Sequence, residues 1–115
     1  MKAFLLEPEQ PGREIEIENT LEALQAAVGG YIEVVTLGDG LAAIVNEEGK
    51  LYDLPFNRGL YAGGMDPVDY LYGNVLIVGT DGEEFRDLTP AELEKALMQS
   101  RIRAKIMTKL TVGGK

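Results

Sequence analysis

Arg58 is the residue whose chemistry stands out first. It is the only arginine between Arg13 and Arg86, and with Lys50 it forms the only cationic pair near the centre of an acidic chain. A guanidinium presents a fixed fork of donors that suits a phosphate or a carboxylate, and Asn57 beside it adds an amide donor and acceptor. Tyr52, Phe56 and Tyr61 are near in sequence and offer flat apolar surface for a base or a sugar. Together with Tyr31 upstream, these residues form a candidate site for a small anionic ligand. The structural alternative is that Arg58 pairs with Asp53 or a hairpin glutamate while Phe56 fills the core.

Other chemistry is sparse. The chain has no cysteine and no histidine, which removes thiolate nucleophiles, disulfides, the commonest general base and the two commonest transition-metal ligands. Its one serine, Ser100, falls in a helical stretch and has no histidine to pair with. "VGGY", "GDG" and "AGGM" lack the spacing of a phosphate-binding loop and read as a helix cap, a hairpin turn and a loop. "DGEE" at 81–84 with Asp87 gathers four carboxylates without the alternating ligand spacing of a calcium loop, so a solvated turn is expected there. Glu47 and Glu48 are consecutive at a turn and point apart more often than together, which argues against a two-carboxylate acid/base pair. The chain therefore reads as non-enzymatic, with no cofactor and no metal.

A length of 115 residues suits one modest core, and 45% hydrophobic with 26% charged residues is a folding composition. The start, "MKAFLLEPEQPG", is too short and too polar for a secretory or membrane segment, so a cytoplasmic protein is expected. The net charge of −8 disfavours direct contact with nucleic-acid backbone. All nineteen acids lie within residues 1–94 beside five bases, whereas residues 95–115 carry six bases and no acid. That basic end either complements a helix dipole and the acidic body or forms a patch for an anionic partner.

The elements that must position these groups follow from periodicity. "KAFLLEP" and the alternating "REIEIE" predict a hairpin around "EQPG". "NTLEALQAAVGG" predicts a short helix capped by Asn19, with Glu22 three residues on and Gly29 or Gly30 as its stop. "YIEVVTL", "GDG" and "LAAIVNE" predict an antiparallel pair, and "NEEGK", with Gly49 at positive φ, turns into a third meander strand "LYDLP". "FNRGLYAGGM" is the longest irregular stretch. "DPVDYLYG" predicts a short helix started by Asp66 and Pro67, and "NVLIVGT" a central strand buried on both faces. Thr89, Pro90 and Glu92 open a long last helix with an apolar stripe of Leu93, Leu97, Met98, Ile102 and Ile106. The expected fold is α+β: a mainly antiparallel or mixed sheet of about five to six strands, with one short and one long helix packed on one face. Residues 1–110 form the single domain, and 111–115 a flexible tail.

"LEALQAAVGGYIEVVTL", "NEEGKLYDLPFNRGL" and "GNVLIVGTDGEEFRDLTPAELE" resemble, in order and spacing, the domain of unknown function 3846 family, small proteins of phages, plasmids and conjugative elements of Gram-positive bacteria, over about residues 1 to 95. The resemblance places Gly29, Gly30, Tyr31, Glu33, Asn46, Gly49, Pro55, Asn57 and Arg58 on the family pattern, implies a mobile-element context, and carries no activity over. This chain departs from the pattern in "GLYAGGMDP" and in its basic end. Three functions are expected in turn. The first is a counter-defence protein that sequesters a small anionic nucleotide-type ligand through Tyr31, Lys50, Tyr52, Phe56, Asn57 and Arg58. The second is an acidic, DNA-mimic-like inhibitor of a host protein. The third is a self-associating domain that dimerises through its last helix.

Overall fold

Val75–Thr80 (β7) reads VLIVGT, and the computed structural model buries it from Val75 to Gly79. The structure describes residues 1–49, 52–60 and 69–96. A strand apolar on both faces needs a neighbour on each edge and a cover on each face. Its edges are filled by Lys2–Leu6 (β1) and Leu41–Asn46 (β4), both antiparallel to it. Arg13–Glu16 (β2) lies outside β1 and Ile32–Gly38 (β3) outside β4, giving the order β2-β1-β7-β4-β3. Phe85–Arg86 (β8) adds a short antiparallel pairing to the end of β7, completing six strands. The fold is α+β, with an antiparallel sheet at its centre.

Alternation along the strands sorts the core into two layers. Ala3, Leu5, Ala42, Ile44, Leu76 and Val78 face Leu24 and Val28 of the helix Leu21–Val28 (α1). Phe4, Leu6, Ala43, Val45, Val75 and Ile77 face Leu71 and Leu88, with Leu93 and Ala96 of the helical residues 90–96 (α2) packed against them. The two helices thus cover opposite faces, where one shared face was expected. The double-sided burial of β1, β7 and β4 is the reason, because either face left bare would expose a continuous apolar surface.

The ends of α1 are tied to the sheet. Thr20, not Asn19, is the N-cap, its hydroxyl accepting the Ala23 N–H at 3.2 Å. Asn19 instead donates to the Phe85 carbonyl at 3.1 Å, joining the helix entry to β8. At the other end Gly29 takes the left-handed conformation at φ 79° and donates to the Gln25 carbonyl at 2.8 Å. The carbonyls of Ala27 and Val28 accept the side-chain amides of Asn74 and Asn46, each at 3.1 Å. Asn46 at the end of β4 and Asn74 just before β7 therefore satisfy helix carbonyls that would otherwise lack partners.

After β4 the chain departs from the expected meander. Tyr52 and Asp53 form a turn instead of a strand, and β4 takes β7 as its second neighbour. Gly49 does not adopt the expected positive φ; glycine suits that position because a Cβ would sit 3.0 Å from the Tyr72 carbonyl. Phe56–Leu60 (β5), expected to be irregular, is a strand that pairs with Asp69–Tyr72 (β6) in a separate two-stranded sheet. The second half of "DPVDYLYG" is thus extended where a helix was expected. Its alternating aromatic and aliphatic residues let Leu71 reach the core while Tyr70 stays outside, so packing outweighs the start signal. Asp66, Pro67 and most of "GLYAGGM" lie outside the described residues, as do the last helix beyond residue 96 and the 111–115 tail.

The start of α2 forms as expected. The Thr89 hydroxyl accepts the Glu92 N–H at 3.2 Å, and a Glu92 carboxylate oxygen accepts the Thr89 N–H at 2.9 Å. Arg86 closes the box from β8 with a two-pronged pairing to Glu92 at 2.9 and 3.2 Å. Arg86, then the Thr89 N–H, holds the Glu92 carboxyl at about 2, below its ordinary 4.5. A depressed folded-state pKa stabilises above the unfolded value and loses that contribution as pH falls from 4.5 toward 2. Glu92→Gln is therefore expected to lose about 1–2 kcal/mol at neutral pH, after allowance for solvent screening of a partly exposed pair. In urea melts the gap from the wild type should narrow between pH 4.5 and about 3; a pH-independent gap would assign the loss to packing.

Candidate functional site

Asn57 and Arg58 owe their placement to a bulge in β5. Phe56 pairs with Tyr72 and Arg58 with Leu71, so Asn57 is the extra residue between them. A regular strand sends consecutive side chains to opposite faces; the bulge instead allows both residues to be buried, at 7% and 5% exposure. The Asn57 amide donates to the Leu6 carbonyl at 2.8 Å and the Gly73 carbonyl at 2.7 Å. Its oxygen accepts from Arg58 Nη1, and Arg58 Nη2 donates to the Gln10 carbonyl at 2.8 Å. A longer contact of 3.4 Å joins Nη1 to the Glu7 carbonyl.

This pair stitches β5 to the end of β1, to the β1–β2 turn and to the β6–β7 turn. Burial pushes the Arg58 guanidinium below its ordinary pKa, although an arginine stays protonated. Among the described residues Arg58 makes no ion pair and its Nε–H finds no acceptor, so backbone oxygens and one amide carry its charge. Neither the Asp53 partner nor the hairpin-glutamate side chain expected from sequence is among those contacts. Phe56 is half-buried in an aromatic cluster, its ring 5.7 Å from Tyr72 and 6.1 Å from Tyr70.

Tyr31 and Tyr52 come together elsewhere. They rim a hollow of about 260 Å3 whose other described lining residues are Gln25, Gly29, Gly30, Asn46 and Glu48. The two tyrosines are 69% and 66% exposed. The buried Asn46 holds the floor by donating to Val28 and accepting the Glu48 N–H at 2.8 Å. A Cβ on Gly30 would meet that amide at 2.8 Å, so the absence of a side chain there leaves the floor in place. The neighbouring Glu48 carboxylate raises the Tyr52 phenol above its ordinary pKa. Lys50 lies outside the described residues.

The described lining of the hollow is negative. Among the described residues Glu48 is the only charged one in the lining, and α1 presents its C-terminal end without a basic residue in its last turn. The candidate residues therefore divide into an internal pair, Asn57 and Arg58, and a surface pair, Tyr31 and Tyr52. Sequence reading missed Gln25, Asn46 and Glu48 as lining residues. The signal available was the position of Gly30, Tyr31 and Asn46 on one family pattern.

The acidic turn at 81–84 is self-contained. The Asp81 carboxylate accepts the N–H groups of Glu83 and Glu84 at 3.1 and 3.0 Å, and these bonds, Glu84 first, lower its pKa. Among the described residues no group of three or more acidic side chains is arranged to hold a metal ion, and no helix is long and apolar enough to cross a membrane.

Fold and site together define a small antiparallel α+β domain with a buried amide–guanidinium clamp and a tyrosine-rimmed surface hollow. Residues 1–101 match the model of the family described as Domain of unknown function (DUF3846), and the chain belongs to that family. No curated protein and no solved structure matches it.

The clamp predicts a stability phenotype. Asn57→Ala leaves the Leu6 and Gly73 carbonyls without the amide and strips Arg58 of an acceptor, at an expected cost of about 2–4 kcal/mol. Chemical denaturation measures it, and a loss under about 0.5 kcal/mol would show that the clamp is dispensable.

Proposed function

We propose that this domain is a non-enzymatic binding protein whose partner presents a basic segment, and that the hollow receives one cationic side chain of that segment. The observation that carries this reading is the pair of exposed tyrosines rimming a hollow whose only charged lining group, among the described residues, is the Glu48 carboxylate. A guanidinium or ammonium over a tyrosine face gains about 0.5–2 kcal/mol, depending on desolvation. Glu48, and the amides of Gln25 and Asn46, add acceptors for its N–H groups. At about 260 Å3 the space is below the usual range for a drug-sized ligand, so it fits one side chain of a larger partner better than an enclosed nucleotide.

The rest of the surface supports the same sign of partner. Fourteen more acids than bases among residues 1–94 create a field that speeds encounter with a basic protein surface and weakens with salt. A protein built to hold nucleic-acid backbone has such a surface, and occupying it would serve the counter-defence role suited to a mobile element. The alternative of a small anionic ligand has less support, because Arg58 is committed to internal oxygens.

Titration of the isotope-labelled protein with N-acetyl-arginine amide, followed by amide NMR, tests the proposal. Shifts centred on Tyr31, Glu48 and Tyr52 are expected, together with at least ~fivefold weaker binding in Tyr52→Ala. Adenosine monophosphate serves as the anionic comparator. Shifts at the hollow from the nucleotide alone, or from neither probe, would sink the idea.

A further inference from the structure

The two outer edges of the large sheet are not equivalent. β2 carries Arg13, Glu14 and Glu16 in four residues, a charged edge of the kind that resists pairing with another chain. β3 is seven residues long, with a single charged residue, Glu33, and with Val34 46% exposed. Among the described residues nothing pairs with its outer edge.

The hydrogen-bond phase of that edge can be read from its inner side. The Glu47 N–H donates to the Tyr31 carbonyl, and Glu33 and Val35 lie opposite Val45 and Ala43. Alternation in an antiparallel ladder then turns the backbone groups of Tyr31, Glu33 and Val35 toward β4. Those of Ile32, Val34 and Thr36 turn outward.

We infer that β3 pairs with β3 of a second copy of this chain, antiparallel, about a two-fold axis at Val34. In that register Val34 faces its own counterpart and exchanges both N–H···O bonds with it, and Ile32 faces Thr36 of the other copy. On the opposite side of the sheet Glu33 faces Val35, so no carboxylate directly opposes another. The bulge between Thr36 and Gly38 ends the pairing and limits it to five residues from each copy. The second copy is the favoured occupant because this register satisfies every outward backbone group from Ile32 to Thr36 and sets Val34 against valine and Ile32 against threonine on the face that carries Val34. Two features oppose association: the diagonal approach of the two Glu33 carboxylates, and the −8 charge on each copy. Pairing therefore strengthens with salt, opposite to the salt response of the proposed basic partner.

Sedimentation equilibrium of the full chain across a concentration series tests this, with Val34→Pro, Val34→Lys and Glu33→Gln beside the wild type. Proline at 34 removes an outward N–H and leaves the β3–β4 bonds intact, so association should weaken ~tenfold or more. Lysine at the same exposed site opposes like charges and should weaken it without touching the fold, which decides the matter if the proline variant fails to fold. Glu33→Gln should strengthen it ~twofold or more. A wild type that stays monomeric at every concentration and salt overturns the inference. So does a dimer indifferent to both Val34 variants, which would locate the contact elsewhere, as on the last helix. Arginine-amide binding at Tyr31 and Tyr52 is read separately, so failure of either result leaves the other interpretable.

Discussion

Burial of β7 on both faces is the constraint from which the rest of the arrangement follows. A strand of valine, leucine and isoleucine at the centre of an antiparallel sheet cannot present one face to water, as many antiparallel strands do. Each face needs its own cover, and a chain of this length has few elements to supply it. α1 covers one face, while Leu71, Leu88 and the start of α2 cover the other. Holding a helix of only eight residues against the sheet takes more than its two buried side chains, Leu24 and Val28. Asn46 and Asn74 supply the rest by donating their side-chain amides to the Val28 and Ala27 carbonyls at the helix C-terminus.

The same requirement explains why the hollow lies where it does. Docking the C-terminal end of α1 on Asn46 brings Gly29 and Gly30 over the end of β4 and leaves space that no described side chain fills. Tyr31 leaves this corner to begin β3, and the turn after β4 returns Tyr52 to it. The hollow is thus a by-product of helix docking, and its chemistry comes from the residues at its rim. The clamp at Asn57 and Arg58 has the complementary role. It joins the small β5–β6 sheet to the end of β1, the β1–β2 turn and the β6–β7 turn through oxygens of Leu6, Gln10 and Gly73, so that Leu71 can complete the second core layer.

Local signals were legible where local chemistry decides. The continuous apolar run of β7, the paired glycines around Asp39, and Thr89 with Glu92 each specify their element within a few residues, and each forms. Asn57 shows what was not legible. Whether a polar residue beside an arginine faces a ligand or the interior depends on a bulge, and that bulge exists only because β5 pairs with β6 across a long connection. The extended form of Asp69–Tyr72 was hidden for a related reason. Its flanking signals favoured a helix, while the need to cover Val75 and Ile77 favoured a strand, and only the folded core reveals that need. Tyr31 and Tyr52 were each conspicuous as side chains, but their adjacency depends on a turn whose central glycine is dictated by the approach of the Tyr72 carbonyl.

Charge and shape act over different ranges in such a molecule. Carboxylates spread over the surface set a potential reaching about one Debye length, roughly 8–10 Å at moderate salt, and that potential does not distinguish one basic surface from another. Two aromatic faces and one carboxylate around a hollow act only at contact, where the shape and hydrogen-bonding geometry of a single cation matter. A protein with the field alone would associate quickly and promiscuously; one with the hollow alone would select a group it seldom met. The internal use of Arg58 bears on both ranges. Enclosing the only described cation between Arg13 and Arg86 among backbone oxygens removes a positive group from the surface, which favours the negative field that the proposed basic partner would meet.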